Sequence, residues 1–243
     1  MADYDSIAQS FQQTCAFPFR WHSEAYTYLN LIGPVQGLSI LDLACGDGIY
    51  SRHFKSQGAA RVVGVDISAA MIDLARSQQP DLEIEYYVAD VAHLEKIANF
   101  DLVVASYLLN HAADACTLGQ MARAIAENLK PGGKFISVNN HLEQDPASYD
   151  RCLTYNYRKQ ADLPLEDGRP IHLTFYLPDG SNFTITDYYL SQATYEQAFA
   201  QAGFQSLEWC YPQVSAAGIE EFGQDYWQDF LRYPPIILLK CQL

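Results

Sequence analysis

The sequence predicts an α/β chain built on a doubly wound, seven-stranded, mostly parallel sheet, and three observations carry that prediction. Ser39 to Leu43 is a short apolar run that ends in a turn carrying Gly46 and Gly48, after which a helical pattern begins. Arg61 to Asp66 is a second apolar strand, ending in a carboxylate twenty residues after Gly46. Phe100 to Ala105 and Lys134 to Val138 then bracket a helical stripe. Both runs are nearly all apolar, as parallel strands covered on two faces must be.

In chain order, residues 1–36 form an aromatic arm, with seven aromatics in the first thirty residues. Tyr4, Ile7, Ala8 and Phe11 fall on one helical face. After Asp66, Ser68 caps a helix whose stripe is Met71, Leu74 and Ala75, and Pro80 stops it. Glu83 to Asp90 makes a third strand. Leu118, Met121, Ala122, Ile125 and Leu129 mark a helix closed by Lys130-Pro131-Gly132-Gly133. From residue 142 to 190 the alternation breaks down. Ile171–Leu177 and Asn182–Tyr189, joined by Pro178-Asp179-Gly180-Ser181, predict an inserted antiparallel lid. Thr194 with Gln197 suggests a capping box, and Gly203 ends the helix. Phe204–Tyr211 and Pro235–Gln242 are the closing antiparallel pair. Phe222, Tyr226, Phe230 and Tyr233 between them read as core packing. One domain over 1–243 is expected.

The chemistry lies at the strand ends. Glycines let a turn approach a ligand closely, and the amides opening the next helix face what the loop cradles. In a Rossmann-like unit an acid at the tip of the second strand, here Asp66, accepts hydrogen bonds from ribose hydroxyls. A nicotinamide dinucleotide fits less well, because Asp42 and Asp47 would stand beside its pyrophosphate and repel it. A cationic nucleoside reverses that sign. Met71, on the helix after Asp66, and Arg20, a lone cation in an apolar setting suited to a carboxylate, are candidates to face such a ligand.

The acid followed by a glycine-rich turn, Asp42 to Gly48, resembles the first motif of the class I S-adenosylmethionine-dependent methyltransferases. Ala44 stands where many members have glycine. The resemblance implies a cofactor site of Tyr4, Arg20, Asp42, Ala44, Gly46, Gly48, Asp66, Ile67, Met71, Asp90, Val91 and Ala105, with S-adenosyl-L-homocysteine as product. It puts Tyr4 near the methionine moiety, Asp90 on the adenine amino group and Val91 beside it through its backbone. Over its whole length the chain is similar to the small bacterial methyltransferases of secondary metabolism typified by toxoflavin N-methyltransferase. That implies N-methylation of a planar heteroaromatic substrate.

Ligands in open α/β sheets sit outside the carboxyl ends of the strands, so Ser106 to His111 and Asn139 to His141 should face the site. An acceptor side of Trp21, Tyr107, Asn110 and Asn139 follows, with His111 and His141 as candidate bases. Two alternatives stand beside N-methylation. One is O- or C-methylation using either histidine; the other is a non-catalytic ligand-binding protein on the same fold.

Composition narrows the partners. The 243 residues are 49% hydrophobic with a formal net charge of −14. Clustered Lys and Arg, which a phosphate backbone or an anionic membrane would require, are missing, so the expected partner is a small molecule. Six scattered cysteines without a C-x-x-C pair suggest free thiols rather than a metal site. With no leader-like opening and no long apolar run, a cytoplasmic monomer is expected.

Overall fold

The computed structural model describes residues 4–79, 81–141 and 143–243. Pro80, the expected helix stop, and residue 142, the expected start of the insertion, lie outside them, as do residues 1–3 of the arm. The arm opens with α1 (Tyr4–Gln13), and a π-helical stretch at Arg20–Ala25 runs into α2 (Tyr26–Ile32). Gly33 ends α2 in the left-handed half of backbone space, at φ 73°, where a side chain would be strained.

The sheet unit follows as β1 (Ser39–Leu43), α3 (Ile49–Ser56), β2 (Arg61–Asp66), α4 (Ala69–Ser77), β3 (Glu85–Val88), β4 (Phe100–Ser106), α5 (Ala115–Glu127) and β5 (Leu129–Asn140). Then come β6 (Tyr157–Ala161), β7 (Pro170–Tyr176), β8 (Asn182–Tyr188), α6 (Gln192–Gln201), β9 (Ser206–Cys210), α7 (Ala216–Phe222), α8 (Gln224–Arg232) and β10 (Ile236–Gln242). The seven-stranded sheet runs β3-β2-β1-β4-β5-β10-β9. β10 pairs antiparallel with both β5 and β9, and the other neighbours of this sheet pair in parallel. Strand order reverses between β1 and β4, which opens a crevice at their carboxyl ends.

Alternation along β1 sorts its side chains between two cores. Leu41 and Leu43 join the core under α5 and α6, while Ile40 joins the core under α2 and α8. Asp42 is therefore on the Ile40 face, buried without an apolar role of its own. The inserted sheet, in order β6-β7-β8, adds Tyr157, Leu173, Phe175, Phe183 and Ile185 to that second core.

Several local expectations are corrected. The insertion has three strands rather than a hairpin. Leu129 belongs to β5 rather than to the preceding helix. Lys130-Pro131-Gly132-Gly133 is taken up where the β4–β5 register jumps between Phe100 and Leu102, the setting in which a strand tolerates proline. The cap of α6 is Ser191, whose hydroxyl accepts from the Thr194 amide at 3.3 Å, three residues before the expected position. The third strand stops at Val88, short of Asp90, which instead caps a short turn at Val91–His93. Ser68 caps α4 as expected, its hydroxyl accepting from the Met71 amide at 3.1 Å.

Candidate active site

The carboxyl ends of β1, β2 and β4 open on two adjoining cavities. The smaller, about 100 Å³, is lined by Arg20, Glu24, Asp42, Asp47, Tyr50 and neighbouring residues. The larger, about 300 Å³, is lined by Asp66, Ile67, Asp90, Val91 and His111 among others. Phe11, Ala44, Gly46, Met71, Ser106 and Tyr107 border both, so the two are lobes of one cleft.

The turn after β1 shapes the floor. Ala44 and Gly46 have positive φ, 52° and 54°. Gly48, at φ 79°, opens α3 from outside the cleft. A Cβ there would lie 2.3 Å from the Tyr86 hydroxyl. Its glycine therefore serves the turn and the packing.

Asp42 is buried, and burial raises its pKa to about 7, partly offset by the Ser51 hydroxyl that donates to it at 2.6 Å. Asp66 accepts the amides of Gly46 at 2.8 Å and Ser68 at 2.9 Å. Burial raises its pKa too, against the pull of those amides. Each carboxylate oxygen has a second lone pair, so Asp66 retains acceptor capacity toward the larger lobe. Asp90 accepts from the Ala92 amide at 3.0 Å and lies 3.0 Å from His93 Nδ1.

Arg20 is the cation of the smaller lobe. Its guanidinium donates to Glu24 at 2.7 Å and packs over the rings of Phe11, Phe19 and Tyr107. Burial pulls its pKa down, but Glu24 more than offsets that. Glu24, itself buried, also accepts the hydroxyls of Tyr107 at 2.6 Å and Tyr50 at 3.3 Å. Arg20 Nε is buried with no hydrogen-bond partner among the described residues, a donor left for a ligand oxygen. Trp21 borders the smaller lobe half-exposed, its Nε1 donating to the Cys15 carbonyl at 2.9 Å.

In the larger lobe the Tyr4 hydroxyl meets His111 Nε2 at 3.1 Å. His111 Nδ1 lies 3.3 Å from a carboxylate oxygen of Asp187, on β8. The other Asp187 oxygen accepts from Asn110 Nδ2 at 3.2 Å and from Asn140 Nδ2.

Besides Gly48, four expected site residues lie off the cleft walls. Ala105 is core, and its carbonyl accepts from the Tyr28 hydroxyl at 3.1 Å. Asn110 is buried and turned to Asp187 rather than to an acceptor. Asn139 is buried with its Nδ2 donating to Ser137 at 2.8 Å. His141 has its Nδ1 2.7 Å from the Pro234 carbonyl, and burial lowers its pKa. A strand's period of two explains Asn139, whose side chain shares a face of β5 with Ser137, while His141 follows the strand and turns to the Pro234 carbonyl.

Sequence reasoning missed Glu24 and Asp187. Both had a signal. Glu24 stands four residues after Arg20 in an apolar stretch, the spacing of a helical ion pair. Asp187 continues the inward series Phe183, Ile185 on a strand that alternates cleanly.

Five acids (Glu24, Asp42, Asp47, Asp66 and Asp90) line the cleft, with Arg20 among its cations. Such walls suit a nucleoside carrying positive charge and repel a pyrophosphate. The free Arg20 donor suits the carboxylate of an amino-acid moiety. The site and the fold thus define a protein that binds a cationic nucleoside at a topological switch point.

Comparisons with known proteins give the class a family. A methyltransferase-domain model matches residues 40–133. Cypemycin N-terminal methyltransferase from a Streptomyces species is 30% identical over 199 residues, covering 79% of this chain and 76% of that one. N-demethylindolmycin N-methyltransferase of Streptomyces griseus is 29% identical over 170 residues, covering 69% of this chain and 70% of that one. An S-adenosylmethionine-dependent methyltransferase structure from Mesorhizobium loti shares the fold, with a TM-score of 0.67 at 22% identity over 90% of this chain and 97% of that one. The chain belongs to the class I S-adenosylmethionine-dependent methyltransferases, and S-adenosylmethionine is its cofactor.

Proposed function

We propose that this methyltransferase acts on a small, planar, heteroaromatic acceptor and methylates it at nitrogen. The observation that carries the reading is a third cavity, reached from the cleft through Tyr4, Phe11, Arg20 and Tyr107 and walled by Phe19, Tyr157 and Phe175. Phe19 and Tyr157 have ring centroids 5.5 Å apart, and Tyr157 stacks on Phe175 at 5.5 Å. Flat aromatic walls favour a flat acceptor. The cavity measures about 20 Å³ with the arm seated, so the acceptor enters as the arm lifts. The Streptomyces griseus relative is named an N-methyltransferase, which supports nitrogen.

When bound, S-adenosylmethionine supplies a methyl group on a positively charged sulfur. In our reading Asp66 holds the ribose hydroxyls, and Asp90 and Val91 hold the adenine edge beside Ile67 and Met71. Asp42 and Arg20 hold the amino-acid end over the Ala44–Gly46 turn. The residues of the cleft then act by alignment, which can lower a barrier by about 7–11 kcal/mol in well-oriented systems. A neutral nitrogen needs no strong base.

A specific observation keeps a second reading. The Tyr4–His111–Asp187 array gives an acceptor O–H or C–H a proton-accepting group, so O- or C-methylation fits the same cleft. Methyl-labelled cofactor incubated with heteroaromatic amines, phenols and enols separates the two. We expect labelled N-methyl product from the amines; product from the phenols or enols alone rejects nitrogen. His111→Gln should lower turnover on an acidic O–H acceptor at least 100-fold and on a neutral amine much less. We also read the enzyme as a cytoplasmic monomer with neither nucleic acid nor membrane as partner. Among the described residues no helix is long and apolar enough to cross a membrane.

A further inference from the structure

The inserted sheet does more than cover the crevice. Asp187 is the charged side chain that β8 sends inward, and it is buried. One of its oxygens takes two amide donors, Asn110 Nδ2 and Asn140 Nδ2. That leaves the other oxygen to His111 Nδ1, 3.3 Å away, and neither of those two atoms has a hydrogen-bond partner elsewhere among the described residues. On the opposite edge of the ring the Tyr4 hydroxyl lies 3.1 Å from Nε2.

These neighbours decide the tautomer. A carboxylate can only accept, so the nitrogen beside it carries the proton. Nε2 is then the bare nitrogen and accepts from Tyr4 O–H. We propose that Asp187 is a positioning residue that fixes His111 as its Nδ1–H tautomer, keeping Nε2 as the proton acceptor on the side of Tyr4, which borders both the larger lobe and the third cavity. Proton acceptance at Nε2 makes an imidazolium whose Nδ1–H still points at the carboxylate, which stabilises the charge as it forms. Asn110 and Asn140 hold the carboxylate so that it does not rotate away. The inference rests on the reading of His111 as the group that handles the acceptor's proton.

The geometry also predicts what an isosteric amide does. In Asp187→Asn the donors of Asn110 and Asn140 keep the new side-chain oxygen on their side. The new NH₂ then faces His111 Nδ1, which becomes an acceptor, and the ring turns over to the Nε2–H tautomer. Charged and titratable groups around the ring are Tyr4 on α1, Asp66 on β2 and Asp187 on β8. Lys159 on β6 acts on Asp187, and Arg20 acts on Tyr4.

The test needs no acceptor molecule. In ¹⁵N-histidine-labelled protein, the His111 ring is assigned by its loss in His111→Gln, and its two nitrogen shifts are followed from about pH 5 to 9 with S-adenosylhomocysteine affinity measured alongside. At the alkaline end of that range the wild type should show a protonated-type Nδ1 and a bare Nε2. Asp187→Asn should reverse the two. Its S-adenosylhomocysteine affinity should stay within about twofold, the mark of an intact fold. A wild-type ring in the Nε2–H form overturns the proposal without recourse to any variant. So does a folded Asp187→Asn protein whose His111 nitrogen shifts are unchanged. Should His111→Gln instead leave methyl transfer to an O–H acceptor undiminished, the base reading fails while the tautomer result stands.

Discussion

Ala44 and Tyr107 border both lobes of the cleft with positive φ, 52° and 57°, a conformation that side chains other than glycine's resist. Strain of this kind collects where a backbone must approach a ligand. The Ala44 methyl packs against the core that holds Leu41 and Leu43, so Ala44→Gly should raise unfolding stability by less than about 1 kcal/mol, the usual left-handed penalty less glycine's extra chain entropy and the lost contact. A urea melt checks it, and an unchanged or lower midpoint would show that the turn is relaxed as it stands. Tyr107 differs, because its hydroxyl is tied to Glu24 at 2.6 Å and its amide to the Val138 carbonyl at 2.8 Å. The tertiary contacts hold its backbone there.

Asp42 supplies the pH dependence at the same scale. Its folded pKa of about 7, raised by burial above the ordinary 3.8, means that the folded chain holds this proton more tightly than the unfolded one. Its contribution to stability is therefore complete below about pH 4 and is lost as the pH rises through 7. A bound cation favours the carboxylate, so the sign for cofactor is opposite. S-adenosylmethionine should bind about tenfold more tightly at pH 8 than at pH 6, and Asp42→Asn should bind weakly with no such slope. Calorimetry at the two pH values decides, and a slope that survives in the variant would remove Asp42 from the site.

At the scale of elements, α1 is fastened across the cleft by polar contacts. Asp5 accepts from the Ser68 hydroxyl and from the Ala70 amide at the start of α4, and Gln12 donates to Asp47 at 3.1 Å. Asp5→Ala should loosen the arm and weaken S-adenosylhomocysteine binding several-fold. A stopped-flow binding trace should show the loss in a faster off-rate, since the arm closes over a ligand already bound. An unchanged off-rate would mean that the arm does not gate the cleft.

The elements also show what the residues announced. Nine of the ten strands were legible because most are apolar or alternating runs bounded by turn formers, and the acids of the first two lie where the fold places ligands. β6 was not, because Tyr157-Arg158-Lys159-Gln160-Ala161 puts a lysine at an inward position. That lysine is buried, donating to Gln144 Oε1 at 2.7 Å and to the Pro235 carbonyl at 2.8 Å. Polar partners distant in sequence satisfy it, and no local pattern reports them. The turn of His141 away from the cleft was likewise invisible, since its partner, the Pro234 carbonyl, is distant in sequence. Cofactor positions were the readable part of the site, being local to single strand ends. Glu24 and Asp187 reach the cleft from other elements.

For the whole molecule, the inserted sheet and the main sheet share one core. Phe175 stacks on Phe183 at 5.2 Å and on Tyr157 at 5.5 Å, within the cluster that holds Ile40, Ile136 and Trp227. One cooperative transition should follow. Phe175→Ala should cost about 3–5 kcal/mol and shift tryptophan fluorescence and far-ultraviolet circular dichroism together. Two separated transitions would make the insertion an independent unit and contradict the single domain expected for 1–243.

Whether the acids at the ends of β1 and β2 hold the cationic nucleoside is decided by titrating S-adenosylmethionine, S-adenosylhomocysteine and NAD into the wild type, Asp42→Asn and Asp66→Ala in a calorimeter. We predict micromolar binding of the first two ligands to the wild type, at least tenfold weaker binding to each variant, and no heat from NAD. Binding of NAD, or variants that bind S-adenosylmethionine as the wild type does, would show that these acids do not hold it.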